Sequence, residues 1–216
     1  MSSRNIPVGV ILHGSTPPEE LIGLSQLVEN SGFDQLWLSE DYFFLGGMSS
    51  TVSALQATKN IPVGLGIISA VVRHPAVTAM EIATTARLFP GRLMAGIGHG
   101  VPAWTKQMGV YPSSPLTAMR EAVTAVRRLL DGETLTEDGD YFSFQDVVLT
   151  HPGHRVAHNL KRRRQDGAVL SPIMPSVGSV RYFVNEVGAR TKILAVNDDC
   201  LTPVSVQRID GRGQYT

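Results

Sequence analysis

The sequence has little of several features that would indicate particular kinds of protein. It contains one cysteine, Cys200, in 216 residues, which excludes an internal disulfide framework and favours a reducing compartment. Lys plus Arg and Asp plus Glu both number 19, so the zero net charge indicates neither a nucleic-acid nor a membrane partner. The apolar run before His13 is too short for a signal peptide, and no later run could cross a bilayer. We therefore expect a soluble, cytoplasmic protein.

The motifs of several common enzyme classes are also missing. There is no GxxxxGK loop followed by Ser or Thr, no HExxH pair and no GxSxG elbow. Gly96, Gly98 and Gly100 resemble a dinucleotide-binding GxGxxG, but the third glycine is absent and the run follows the fourth predicted strand instead of the first. The six histidines are scattered, so no metal centre is expected.

The sequence does contain a repeated β-α pattern, which is clearest between Ile61 and Gly100. Residues 62–69 are almost entirely apolar, as expected for a parallel strand covered on both faces, and residues 92–97 form a second apolar run. A helix is predicted to begin at Pro75 between them, with an inward stripe of Ala76, Ala79, Met80, Ala83 and Ala86.

The same pattern continues on both sides of this unit. Strands are predicted at 6–12 and 35–39, and a short helix at about 49–58. The helix between the two strands is predicted to begin at a capping box over 16–19 and to end at Gly32, with Leu21, Leu24, Leu27 and Val28 inward. Another helix is predicted from Ser114-Pro115 to Gly132, with an inward stripe of Leu116, Met119, Val123, Val126 and Leu130.

Four successive β-α units predict a parallel α/β fold, either a barrel or an open doubly wound sheet. Ligands bind at the carboxyl ends of the strands in such folds. Two predicted strands end there in residues suited to chemistry: one in Ser69, followed by Arg73 and His74, and the next in Gly98, His99 and Gly100. Further along the chain, Asp138-Gly139 between alternating residues predicts a hairpin.

Four stretches in this order carry a family resemblance: LWLSED at 36–41, RHPAVTAME at 73–81, PGRLMAGIGHG at 90–100 and SPLTAMREAV at 114–123. They resemble the luciferase-like flavin- and deazaflavin-dependent oxidoreductases, and SEDYFFLGG at 39–47 is similar to actinobacterial members. The resemblance covers residues 6–150. It implies an eight-stranded TIM-type (β/α)8 barrel that binds FMN or the deazaflavin coenzyme F420. It also implies an oxidoreductase or monooxygenase acting on a small organic substrate.

The resemblance assigns roles to individual positions. The bond between Gly66 and Ile67 corresponds to a non-proline cis peptide against the cofactor ring, and an ordinary trans strand is the alternative. Ser69 corresponds to a hydrogen-bonding residue, and Glu40 to the acid that ends the second strand. The cofactor contacts implied in this way are Glu40, Gly66, Ile67, Ser69, Gly98, His99 and Gly100.

The usual proton-transfer groups of the family are not found at the matching positions. Asp41 replaces the histidine of many deazaflavin enzymes, and Val101 replaces a glutamate that donates a proton in some members. His13, Asp41 or His99 would have to substitute, and the ordinary pKa of a histidine lies near neutrality. Asp41 and His99 are therefore the catalytic candidates.

The resemblance weakens after Thr150. Residues 151–165 carry five basic residues and no acid where the family has a fifth strand and a phosphate-binding turn. This run is either a substitute phosphate clamp, through residues 162–164, or a solvated basic segment. A sixth-strand pattern follows at 166–171, then a helix at about 177–188 and a strand at 192–197, and residues 201–216 match nothing in the family.

These features predict a single, incomplete β/α-barrel domain. Its parts are a matched segment, a divergent basic segment, a later β-α unit and an unmatched tail, at 1–150, 151–167, 168–200 and 201–216. An open barrel exposes sheet edges and part of a core, so we expect a homodimer or a poorly soluble chain. A non-catalytic or vestigial flavin-binding protein of the same fold is the alternative to an enzyme.

Overall fold

A computed structural model of the chain describes residues 8–153 and 192–195. The strands in these ranges are β1 (Val8–Leu12), β2 (Gln35–Leu38), β3 (Val63–Ser69), β4 (Leu93–Gly98), β5 (Leu135–Asp138), β6 (Ser143–Val147) and β7 (Lys192–Ala195). The helices are α1 (Leu21–Asn30), α2 (Gly47–Ala57), α3 (Pro75–Leu88), α4 (Pro102–Gln107) and α5 (Pro115–Leu130), with a 3-10 turn at Pro18–Glu20. Within the described part of the chain, no helix is both long and apolar enough to cross a membrane.

Five strands form one parallel sheet in the order β4-β3-β2-β1-β7. The first four strands are neighbours in chain order, as in a β/α barrel, whereas a doubly wound sheet reverses its order after the first strand. Strand β7 pairs with β1 on the side opposite β2, where the last strand of a closed barrel lies. The strand order therefore agrees with the predicted incomplete barrel and not with an open nucleotide-binding sheet.

Two apolar clusters fill the space between this sheet and the helices. The first joins α1 and α2 to β1 and β2, through Val10, Leu12, Leu36, Leu38, Ala54 and Leu55. The second joins α3, α5 and the β5-β6 hairpin to β3 and β4. Six of the seven residues of β3 are buried, which confirms the prediction of a strand covered on both faces.

The capping box predicted at the start of the first helix is wrong. Residues Pro18–Glu20 form a 3-10 turn, and α1 begins at Leu21 without a side-chain cap. Thr16 is buried, and its N–H donates to the His13 carbonyl at 3.0 Å. This residue therefore belongs to the turn after β1. Gly32 ends the helix with φ +76°, as predicted for a left-handed cap.

Several large residues predicted to face inward are exposed instead. Leu27, Met80 and Leu116 are 59%, 51% and 66% exposed. Helices α3 and α5 contact each other, and close approach of two helices favours small side chains at the contact. The buried side chains of these helices are accordingly often small, with Ala79, Ala83, Ala118, Ala122 and Ala125 among them.

The predicted hairpin is confirmed as the antiparallel pair β5-β6, although its turn covers residues 139–142 instead of the Asp138-Gly139 pair alone. The Glu121 carboxylate accepts hydrogen bonds from the backbone N–H groups of Asp140, Tyr141 and Phe142 at 3.0, 3.0 and 3.3 Å. The hairpin is thereby fixed to α5.

The predictions for residues 154–191 and 196–216, which include the basic run at 162–164 and the helix at about 177–188, lie outside the described residues.

Candidate active site

The ends of β3 and β4 come together as the sequence predicted. The Ser69 hydroxyl donates to the His99 carbonyl at 3.3 Å, and the Ala70 N–H donates to the Gly98 carbonyl at 2.8 Å. Gly100 has φ +73°, and a Cβ there would lie 2.8 Å from the Ser69 Oγ. A side chain at Gly100 would thus be strained and would displace the serine hydroxyl.

The peptide between Gly66 and Ile67 is cis, as the family resemblance implied, so the trans alternative is wrong. It coincides with a break in the β3-β4 pairing between Leu65 and Ile68. The Ile67 side chain lies over the glycines of β4, because a Cβ at Gly98 would be 2.4 Å from Ile67 Cδ1. A molecule placed over Gly98 would therefore meet the apolar side chain of Ile67. A second cis peptide, between Tyr42 and Phe43, was not predicted.

The sequence analysis also missed Trp37, whose ring extends over its neighbouring strands. A Cβ at Gly64 would lie 2.3 Å from the Trp37 Cε3, and a Cβ at Gly9 would lie 3.2 Å from its Cδ1. Trp37 pairs directly with Gly64 in the sheet register, and its Nε1–H donates to Gln35 Oε1 at 3.0 Å. A large aromatic residue with glycines on both adjacent strands is the sequence signal that could have located it.

Glu40, which follows β2, is almost completely buried. Its side chain is 2% exposed, and Oε1 accepts hydrogen bonds from Arg73 and, at 2.9 Å, from the Tyr42 hydroxyl. Arg73 Nε also lies 3.5 Å from Glu81 Oε2 on α3. Among the described residues Glu40 Oε2 has no hydrogen-bond partner, and a Cβ at Gly47 would lie 2.6 Å from it. Glu40 thus joins the loop after β2 to the loop after β3.

This arrangement changes the acidity of two groups. Burial raises the pKa of Tyr42 far above the ordinary tyrosine value, and the Glu40 charge and hydrogen bond raise it further, while a hydrogen bond with the Ser69 backbone acts in the opposite direction. Burial alone would lower the pKa of Arg73, but the hydrogen bond to Glu40 and its charge outweigh burial and raise it. Tyr42 is therefore a neutral donor and Arg73 a cation across the physiological range. The sequence analysis placed Arg73 after the end of β3 but did not identify its partner, and it did not identify Tyr42.

The proton-transfer candidates lie on three different loops. Asp41 is 9% exposed, and its Oδ2 accepts from the Ser39 hydroxyl at 3.1 Å beside Gly14, which follows β1. The Nδ1 atom of His13 is 2.7 Å from the Ser15 Oγ and accepts from the Ser15 N–H at 3.2 Å, so this ring stabilises its own turn. His99 is half-exposed and lines a small pocket.

Aromatic side chains extend across the same edge of the sheet. The Trp104 ring on α4 meets Tyr42 and Phe44 in edge contacts, with ring centroids 6.4 Å apart in both pairs. A Cβ at Gly14 would lie 3.4 Å from the Phe44 Cβ, so this side chain adjoins the end of β1. The exposed fractions of Phe43 and Phe44 are 69% and 55%. These aromatic residues connect the loops that follow β1, β2 and β4.

The sequence profile of the family described as luciferase-like monooxygenase matches residues 5–174, which is well over half of the chain. The chain belongs to this family. Its fold is accordingly the family's β/α barrel, seen here in part, as the sequence predicted.

Two known enzymes are similar to this chain in sequence. Limonene 1,2-monooxygenase of Rhodococcus erythropolis is 34% identical over 162 residues, which cover 71% of this chain and 40% of that protein. The 5,10-methylenetetrahydromethanopterin reductase of Methanolobus tindarius is 31% identical over 136 residues, or 63% and 42% of the two chains. The chain therefore spans about two fifths of the length of these relatives.

Solved structures of F420-dependent enzymes are also similar to this chain. An F420-dependent secondary alcohol dehydrogenase, solved with an F420-acetone adduct, superposes with a TM-score of 0.63 at 25% identity. The match covers 68% of this chain and 49% of the other. The F420-dependent tetrahydromethanopterin reductase of Methanopyrus kandleri gives a TM-score of 0.62 at 25% identity, over 69% and 47% of the two chains.

Proposed function

We propose that this protein is an oxidoreductase or monooxygenase that uses FMN or coenzyme F420 to act on a small organic molecule. The family membership and the named F420-dependent relatives support this proposal. The observation that carries it is the meeting of Ile67, Ser69, His99 and Gly100 at the carboxyl ends of β3 and β4, where α/β enzymes bind their ligands.

The residues present fit a flat ring cofactor. Gly96 and Gly98 have no side chains to rise above the sheet, so the apolar surface over β4 is formed by Ile67. In this proposal Ile67 lies against the ring, the Ser69 hydroxyl bonds its edge, and the amides of His99 and Gly100 approach it. A bound flavin or deazaflavin would supply hydride or electron transfer, and the protein would supply position and polarity.

Glu40 supports this site in the proposal. Its Oε1 is occupied by Arg73 and Tyr42 and its Oε2 is buried beside Gly47, so we assign Glu40 the role of holding the loops in place. We assign proton exchange with a bound molecule to His99 in preference to Asp41. His99 lines a pocket, whereas the Asp41 carboxylate is buried and accepts from Ser39.

A non-catalytic or vestigial flavin-binding protein is not favoured. The relatives named above are enzymes, and the loops after the first four strands are held together by specific contacts instead of being collapsed. Residues 162–164, the possible phosphate clamp whose presence would speak against this alternative, lie outside the described residues. A cytoplasmic location and the domain boundaries given above stay predictions.

Cofactor titration tests the proposal directly. FMN and F420 are each added to the purified full-length chain, and binding is followed by the absorbance and fluorescence of the cofactor. We expect Ser69→Ala to weaken the binding of one of them about fivefold, since a hydrogen bond to it contributes about 1 kcal/mol. Ser53→Ala, whose hydroxyl bonds within α2, is the control and should bind normally. A folded chain that binds neither cofactor would refute the proposal.

A further inference from the structure

A small pocket opens beside His99, between the loop after β3 and the segment that joins β4 to α5. Its volume is about 180 Å³. The residues that line it include Ala70, Val71, His99, Pro102, Tyr111 and Pro112. The pocket shares His99 and Gly100 with the candidate active site, so a molecule inside it would adjoin the position proposed for the cofactor.

The described lining of the pocket carries no formal charge. Among the lining residues that the structure describes, none is acidic and none is a lysine or an arginine. Lys106 lies behind this lining, with its Nζ 4.9 Å from the centre of the Tyr111 ring and engaged with that ring. An ion that entered would lose hydration without gaining an opposite charge from this lining, which is unfavourable. His99 and Tyr111 are the described lining residues with polar side chains.

Its size suits a molecule with one ring. A buried apolar cavity of about 150 Å³ holds benzene, so about 180 Å³ leaves room for a ring and one substituent. A carbonyl or hydroxyl oxygen on that substituent could form a hydrogen bond with the His99 imidazole, which both donates and accepts.

We propose that this pocket binds the substrate, and that the substrate is a small, uncharged, mainly apolar molecule with one oxygen function directed at His99. The proposal rests on the proposed function, because it assigns the substrate of that same reaction. His99 holds this oxygen in place and exchanges a proton with it.

Direct binding of matched probes tests the proposal without requiring turnover. Cyclohexanol, cyclohexanecarboxylate and cyclohexylammonium have the same ring and differ in charge. Their affinities are measured by saturation-transfer NMR on the full chain, with and without FMN or F420. We expect cyclohexanol to bind at least tenfold more tightly than either charged probe. Tighter binding of the carboxylate, held by Lys106, would overturn the proposal.

Two variants locate the bound probe. Val71→Phe fills the pocket and should weaken cyclohexanol binding at least tenfold, and His99→Ala should weaken it several-fold through the lost hydrogen bond. The control is Val110→Phe, the same change at a residue beside Tyr111 that does not line the pocket, and it should have no effect. Circular dichroism verifies that each variant is folded. If Val71→Phe is unfolded, the effect of His99→Ala alone decides whether cyclohexanol binds in this pocket.

Cyclohexanol binding that both Val71→Phe and His99→Ala leave unchanged would overturn the pocket assignment. The two proposals fail in different ways. A chain that binds cyclohexanol in this pocket but neither cofactor would refute the proposed function alone. A chain that binds a cofactor but no uncharged probe would refute the substrate assignment alone.

Discussion

At the scale of single residues, the main feature of the site is a buried carboxylate, one oxygen of which accepts from a half-buried tyrosine and from an arginine. Glu40 receives a hydrogen bond from Tyr42 and an ion pair from Arg73, and its side chain is 2% exposed. The Ser69 backbone meets the same tyrosine hydroxyl. The position of Ser69 therefore depends on Arg73 through two intermediate residues.

Replacement of Arg73 should be strongly destabilising. Arg73→Met leaves the Glu40 charge buried without a cation, and loss of one partner of a buried ion pair costs about 3 kcal/mol. Arg73→Lys should recover part of this loss. The free energy of unfolding is measured by urea denaturation, with Arg120→Met at an exposed position of α5 as the control. Equal stability of the Arg73→Met and Arg120→Met variants would contradict the structural role assigned to the ion pair.

The raised pKa of Tyr42 predicts a loss of stability in alkali. The folded protein holds the Tyr42 proton more tightly than the unfolded chain does. The stabilisation that protonated Tyr42 gives the fold is therefore complete below the ordinary tyrosine pKa, about 10. It should be lost as pH rises above that value, because the unfolded chain ionises first. Urea denaturation between pH 8 and about 11 should show a steeper fall for the native sequence than for Tyr42→Phe. Tyr111→Phe should retain the native slope, and a Tyr42→Phe slope equal to the native one would disprove this linkage.

At the scale of elements, two side chains hold the end of α2 and the loop that leads from it into β3. The Arg92 guanidinium, at the start of β4, donates to the carbonyls of Leu55 and Thr58, both at 3.0 Å, and so satisfies the carboxyl end of α2. The Glu29 carboxylate, at the end of α1, accepts from the backbone N–H groups of Lys59, Asn60 and Ile61, with shortest distances of 2.9, 2.7 and 2.9 Å. Together they fix the start of β3, and hence the position of Ser69 at its far end.

Glu29 should therefore stabilise the fold in a pH-dependent way. Its slight burial raises the pKa, but the three backbone hydrogen bonds outweigh this, and the pKa lies below its ordinary value of 4.5. The stabilisation is complete above that ordinary value and is lost as pH falls below it. Glu29→Gln should lower the free energy of unfolding by about 1 kcal/mol at neutral pH.

The same comparison in acid supplies the check. Thermal unfolding is followed from pH 7 to about pH 3, and the difference between the native sequence and Glu29→Gln should shrink as pH falls. Glu19→Gln changes an exposed carboxylate near the start of α1 and serves as the control. A constant difference across this range would show that Glu29 acts by something other than its charge.

At the scale of the whole molecule, the described part of the barrel has an incompletely covered interior. Trp37 and Ile67, the large side chains beside the glycines of β1, β3 and β4, are only half-buried. Phe43 and Phe44 are exposed at the carboxyl edge. Exposed apolar surface such as that of Phe43 and Phe44 commonly marks an interface between proteins.

We accordingly propose that the chain forms a homodimer. Light scattering and sedimentation velocity at several concentrations should give twice the mass of one chain. The double variant Phe43→Ser/Phe44→Ser should weaken the dimer if this edge contributes to the interface, whereas Val148→Ser, at an exposed residue of the hairpin region, should not. A monodisperse, thermally stable monomer would contradict the proposal.

Local features of the chain were predictable, because each is encoded within a few residues. Apolar runs gave the strands β1 to β4, and Pro75 and Pro115 correctly marked the first residues of α3 and α5. Gly32 and Gly132 follow the ends of α1 and α5 with positive φ. The grouping of Ser69 with His99 and Gly100 was also predictable, since parallel strands in chain order end at one edge.

What the sequence by itself determined is therefore the succession of β-α units, the family and the edge of the sheet at which the site lies. Only the tertiary structure decided which helix faces are buried, that Arg73 is the partner of Glu40, and that Trp37 lies against Gly64. The physical reason is separation along the chain. Periodicity and turn chemistry act between near neighbours in sequence. The Arg73–Glu40 and Trp37–Gly64 contacts join residues about 27 to 33 positions apart and form only once the strands have paired.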